Sequence, residues 1–156
     1  MACVVGIDPG KKGGVCVWHE EGFSAHEMFV MANGEIDSRG LYNELQGYDV
    51  DYCIIEKAQS MPQQGVKSTF AYGKGYGEIV AVLKILEIPY EEVQPQKWKK
   101  QFALIKKGKR DSVTVATKLF PSIEFITPRG RLMDGKAEAC LIANFALRRY
   151  KGELLT

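Results

Sequence analysis

Histidine and paired cysteine are scarce in this chain. Only two histidines occur in 156 residues, His19 and His26, each followed by a glutamate. The four cysteines (Cys3, Cys16, Cys53 and Cys140) form no CxxC pair. Zinc sites need clustered thiolate or imidazole ligands, so none is expected. Each cysteine sits in an apolar segment and reads as a buried, reduced thiol of a cytoplasmic protein. The histidines read as surface or strand-edge residues. No apolar run approaches the roughly 18 residues of a membrane span. The opening MACVVGID lacks the basic and long apolar regions of a secretory signal. Internal repeats, low-complexity tracts and linkers are missing too. GxGxxG is also absent. The glycines of KSTFAYGKGYGE (67–78) have another spacing and come too late for a first strand–helix turn, which argues against dinucleotide binding.

What remains is ordinary globular composition, 46% hydrophobic and 26% charged, in a length that suits one domain over 1–156. The net charge is only +2, but it is unevenly distributed. Residues 19–56 hold nine acids and one base, whereas 97–136 hold eleven bases and three acids. The basic half suits a polyanionic partner.

Residues 2–7 (ACVVGI) read as a strand buried on both faces. DPGKKGG is turn chemistry, in which Pro9 fixes φ and Gly10, Gly13 and Gly14 permit positive φ. Residues 15–18 and 23–30 complete an antiparallel meander. A short helix at 38–47 carries Leu41 and Leu45. Residues 51–58 (DYCIIEKA) are a further buried strand. After a polar loop, a long helix is expected over 68–87, with Ile79, Val82, Leu83 and Leu86 at helical spacing. Residues 90–93 form a fifth strand, 96–120 a basic and partly helical region, and 134–150 an apolar final helix. The order βββ-α-β-α-β-α predicts an α/β fold, a mixed five-stranded sheet with helices on both faces.

Four acids stand in costly places. Asp8 ends VVGI, Glu56 ends CII, and Asp134 and Glu138 lie four residues apart on the final helix, hence on one face. An ionised carboxylate near a core is expensive unless paired or bound to metal. Taken singly, each has an ordinary reading: Asp before Pro-Gly as a turn residue, Glu at a strand end as exposed, Asp134 as a favourable charge at a helix start. Taken together they are expected to cluster, because the ends of strands one and four can meet beneath the last helix. Carboxylates without His or Cys suit hard cations, chiefly Mg²⁺ or Mn²⁺. Two such ions about 3.5–4 Å apart can align a water on a phosphodiester.

The segment KWKKQFALIKKGKR supplies Lys97, Lys99, Lys100, Lys106, Lys107, Lys109 and Arg110, which reads as a solvated face or as phosphate contacts. Trp98 reads as a core anchor. Gly73, Gly75 and Gly77 each cost about 1 kcal/mol in a helix, which suggests close backbone approach to the sheet or to nucleic acid. Lys67, Ser68 and Lys74 are then candidate phosphate contacts.

GIDPG, IIEKA, KSTFAYGKGYGEIVAVL, VQPQKWKK and DGKAEACLIA, in this order and spacing, resemble the RuvC-type Holliday junction resolvases over nearly the whole chain, especially their compact phage-type members. The resemblance implies an RNase H-like fold and a metal quartet at Asp8, Glu56, Asp134 and Glu138, with Glu138 in place of a more usual Asp. It implies a basic residue flanking the metals at Lys99 or Lys100, and a DNA contact at Arg110. It also implies a homodimer, for which the long helix with Ile79 and Leu83 is the expected interface. The implied partner is branched DNA, in a bacterial or phage-infected cytoplasm, with no membrane and no small-molecule substrate. The implied chemistry leaves 5′-phosphate and 3′-hydroxyl ends. In one respect the chain departs from the family. The loop after Glu56, KAQSMPQQ, lacks the family's aromatic residue, leaving Gln59 or Met61 in its place and suggesting broader action on forks and flaps. An RNA-directed nuclease and a non-catalytic junction-binding protein are the rival readings.

Overall fold

A computed structural model of the chain describes residues 2–59 and 65–154. In chain order it holds β1 (Val4–Asp8), β2 (Gly14–His19), β3 (Gly22–Glu27), α1 (Ser38–Leu45), β4 (Tyr52–Glu56), α2 (Val66–Ile85), β5 (Tyr90–Val93), α3 (Pro95–Lys99), a 3₁₀ turn (Lys100–Phe102), α4 (Lys109–Leu119) and α5 (Asp134–Tyr150). The five strands form one sheet in the order β3-β2-β1-β4-β5. The first three are antiparallel neighbours, while β4 runs parallel to β1 and β5 parallel to β4. This is the expected mixed sheet, and its arrangement is RNase H-like.

Strand alternation splits the core into two layers. Val4, Cys16, Ile54 and Val93 point into the layer covered by α3, α4 and α5. Val5, Ile7, Val15, Val17, Cys53 and Ile55 point into the layer covered by α1 and α2. All four cysteines are buried and free. His26 lies on edge strand β3, with its Nε2 3.2 Å from Glu44 Oε1. Among the described residues no helix is long and apolar enough to cross a membrane.

The glycines behave differently from the expectation. Of the three in the β1–β2 turn, only Gly10 has positive φ, +103°. Gly13 and Gly14 are needed for space. A Cβ on Gly14 would meet the backbone of Gly135 and Lys136, and one on Gly135 would meet that of Lys12 and Gly13. A Cβ on Gly6 would overlap the Ala143 amide and the Ala139 carbonyl. The backbone of α5 therefore rests directly on β1 and on the start of β2. On α2, only Gly75 makes a close approach, its virtual Cβ lying 2.9 Å from Ile36 Cγ1. Gly73 and Gly77 face open space.

The expected interface residues on α2 need correction as well. Ile79 and Leu83 are both fully buried against the sheet of their own chain. Helical periodicity turns Val66, Phe70, Gly73 and Gly77 to the opposite side. There Val66 is 88% and Phe70 74% exposed.

Candidate metal centre

Parallel pairing of β1 with β4 aligns Ile7 with Ile55. One residue further on, both strands end in acids, Asp8 and Glu56. Because Gly6 and Ile54 face α5, alternation turns Asp8 and Glu56 to that same side. Glu138 lies on α5 beside Ala139, whose carbonyl presses against Gly6. As a result, Asp8, Glu56 and Glu138 each offer a carboxylate oxygen within 4.8 Å of the other two. All three are half-buried.

Crowding and burial perturb the three acids in one direction. Burial pushes the Asp8 carboxyl well above its usual range, the charges of Glu56, Glu138 and Asp134 push it further, and Lys99 opposes them. Burial also raises Glu56, against a hydrogen bond from Trp98, with Glu138 adding to the rise and Lys99 opposing it. Glu138 is raised by burial, with Ser112, Lys99 and Lys109 pulling back and Asp134 pushing up. A site that strains to hold its own negative charge is one that gains by binding a cation. The donor set is all oxygen, so the residues present fit a hard divalent ion such as Mg²⁺ or Mn²⁺.

Asp134 stands apart from this set. It occupies the first turn of α5, where a negative charge is favoured. It is close enough for its charge to act on Asp8 and Glu138, yet it does not join the cluster within 4.8 Å. Of the two candidate lysines, Lys99 is half-buried and its charge acts on all three clustered acids, whereas Lys100 is exposed. Lys67, Ser68, Lys106, Lys107, Lys109 and Arg110 are exposed. Lys74 is exposed and pairs with Glu35 at 3.2 Å. Gln59 hydrogen-bonds Gln94. Met61 lies outside the described residues.

Two supporting residues escape the sequence reading. Trp98 is the expected core anchor, fully buried, but its Nε1 also donates to Glu56 Oε2 at 2.8 Å. A buried indole needs an acceptor, and that requirement is the one sequence signal that pointed here. Ser112 of α4, 3% exposed, donates from Oγ to Glu138 Oε2 at 2.8 Å. Nothing in the sequence marks it.

With this fold and acidic site, the chain can be set beside known proteins. No family model matches it, and no curated protein matches it in sequence. Two solved structures of Thermus thermophilus RuvC do match in fold. One, bound to a Holliday junction substrate, is 16% identical with a TM-score of 0.64, covering 92% of this chain and 90% of that one. The other is 17% identical with a TM-score of 0.63, covering 96% of each chain. The fold is therefore RuvC-like over nearly its full length.

Proposed function

We propose that this chain is a divalent-metal-dependent, structure-selective DNA endonuclease that cuts Holliday junctions and other branched DNA. The observation that carries the reading is the convergence of Asp8, Glu56 and Glu138 from β1, β4 and α5. The fold likeness to a RuvC bound to a Holliday junction supports branched DNA as the substrate.

Asp8, Glu56 and Glu138 would hold Mg²⁺ or Mn²⁺, with Asp134 as an outer member of the set. Two ions held there would supply an activated water and stabilise the leaving oxygen of a phosphodiester. The protein's own contribution is placement. Trp98 and Ser112 each fix one oxygen of a carboxylate, so Glu56 and Glu138 present their remaining oxygens in set directions. Lys99 sits over the Trp98 ring, 5.7 Å from its centroid, and supplies a cation beside the site for the charge of the phosphate. The exposed lysines from 97 to 110 continue that cationic surface and would hold the arms of the DNA. Hydrolysis in this sense leaves 5′-phosphate and 3′-hydroxyl ends.

Two opposed cuts at a four-way junction need two sites related by a two-fold axis. The outward face of α2 (Val66, Phe70, Gly73 and Gly77) is the proposed contact between copies. Its glycines cost helix stability without any packing return inside the chain, and a close helix–helix approach would supply that return.

The test is cleavage of synthetic four-way, three-way, flap and linear DNAs in Mg²⁺ and in Mn²⁺, with cut sites mapped. Paired symmetric nicks at the four-way branch support the proposal. Equal cleavage of linear DNA, preference for RNA or hybrid strands, or unimpaired cleavage by Asp8→Asn overturns it.

A further inference from the structure

Beside the metal centre lies an open cleft of about 400 Å³ that the reading above does not use. Asp8, Gly10, Lys11 and Lys12 line one side, and Tyr72 of α2 lines the other. The turn brings its backbone against the ring. Gly10 has φ +103°, and a Cβ there would lie 3.4 Å from Tyr72 Cε2, so glycine leaves the ring edge uncovered. Tyr72 is braced from behind. Its ring stacks on Tyr76 with centroids 6.5 Å apart and planes 20° from parallel. Tyr76 in turn donates its hydroxyl to Glu92 Oε1 of β5 at 2.9 Å. The Tyr72 hydroxyl is pushed up to about 12 by burial and by the charges of Asp8 and Glu56, which places the ring next to the acidic cluster. Lys11 and Lys12 are exposed and pair with no acid among the described residues.

A half-buried, braced aromatic face, two uncommitted cations and a metal-binding acid on one cleft match the parts of a single nucleotide: a flat base, its phosphates and the bond to be cut. We propose that this cleft is a nucleobase subsite, in which Tyr72 stacks on a base of the strand being cleaved while Lys11 and Lys12 hold the phosphates flanking it. The inference rests on the nuclease reading for the identity of the strand. A stack that accepts any base makes the subsite tolerant of sequence. It can be filled only where the base is unpaired from its partner, so branch points and frayed ends fit it and continuous duplex does not.

The experiment uses the full chain and four-way DNA junctions carrying 2-aminopurine at each branch-proximal position in turn, with Ca²⁺ replacing Mg²⁺ to hold hydrolysis. Wild type and Tyr72→Phe should change the probe's fluorescence at one position, and Tyr72→Leu should not. Tyr72→Leu should bind the junction roughly 5- to 160-fold more weakly, the range for loss of one base–aromatic stack. Lys11→Ala and Lys12→Ala should each lower the salt slope of binding by about one. Equal affinity and equal fluorescence for Tyr72→Leu and wild type overturn the subsite, as does a Tyr72→Phe protein that fails like Tyr72→Leu. The two readings fail separately. A fluorescence change at one position without cleavage in Mg²⁺ keeps the subsite and removes the nuclease, whereas cleavage without that change does the reverse.

Discussion

Replacing Asp8 by asparagine should stabilise the metal-free protein while ending cleavage, and that divergence separates a metal centre from an ordinary buried acid. Carboxylate oxygens as close as 4.8 Å repel by about 3.5 kcal/mol per ionised pair at an effective dielectric of about 20. Asp8 takes part in two such pairs. Lys99 and proton uptake relieve much of the cost, which leaves a net gain on the order of 2 kcal/mol for Asp8→Asn near neutral pH. For a chain of this size that is a rise in Tm of about 4–8 °C. The pH dependence has a definite sign. All three acids are raised in the folded state. A raised carboxyl favours the fold fully below its unfolded value near 4, and that contribution is lost as pH rises through the folded value. The gap in Tm between Asp8→Asn and wild type should therefore widen as pH rises from about 4.5 to about 8 in EDTA. Mg²⁺ should reverse the ranking, because wild type gains about 2.7 kcal/mol at a hundredfold excess over Kd and the variant gains little. Calorimetric melts across this series check the reasoning. An Asp8→Asn protein that melts below wild type in EDTA near neutrality, or gains as much from Mg²⁺, would refute it.

Four further outcomes are expected. Trp98→Phe keeps the packed ring but removes the donor to Glu56, so metal affinity by titration calorimetry should fall roughly 10- to 100-fold; unchanged affinity would show that the hydrogen bond is idle. Glu138→Gln should lower the cleavage rate by about a thousandfold or more and Asp134→Asn by only about tenfold, and single-turnover rates that rank the other way would move the metal site toward the start of α5. Gly6→Ala drives a methyl into the backbone of α5, where no side chain can yield, so a loss above about 4 kcal/mol in denaturant melts is expected. Phe70→Asp should convert a dimer to monomer in sedimentation velocity and remove the concentration dependence of Tm, because Phe70 is 74% exposed on the single chain and makes no core contact to lose; a wild type that already sediments as a monomer removes α2 as the interface.

Periodicity carried most of the fold. β5 (Tyr90–Val93) and α5 (Asp134–Tyr150) fall where the pattern places them, and β1, β4 and α2 differ only at their ends. Three of the four acids meet as the topology requires, because alternation and parallel pairing are properties a sequence displays directly. What stayed hidden depends on which atoms touch across the chain. Gly14 looks like a turn residue until α5 is seen lying on it, whereas a Cβ on Gly13 would meet Asp8 and Pro9 of its own turn. Ile79 and Leu83 are apolar on an amphipathic helix, and periodicity alone does not say whether the apolar face meets the sheet or a partner. Here the sheet took them, and the exposed face carries Val66 and Phe70. The hydroxyl of Ser112 and the ring of Tyr72 acquire their roles only through packing between helices and loops distant in sequence.

The three clustered acids lie at positions 8, 56 and 138, and the last arrives on the helix that also roofs one face of the sheet. Folding and chemical competence are therefore completed in the same event. Until α5 docks, the strands leave one apolar face open to water, and the two acids at their ends lack the third that would hold a cation firmly. Such a late, long-range closure is slow compared with local helix formation. A chain cut short of Glu138 would thus lack one of the three acids of the proposed metal centre.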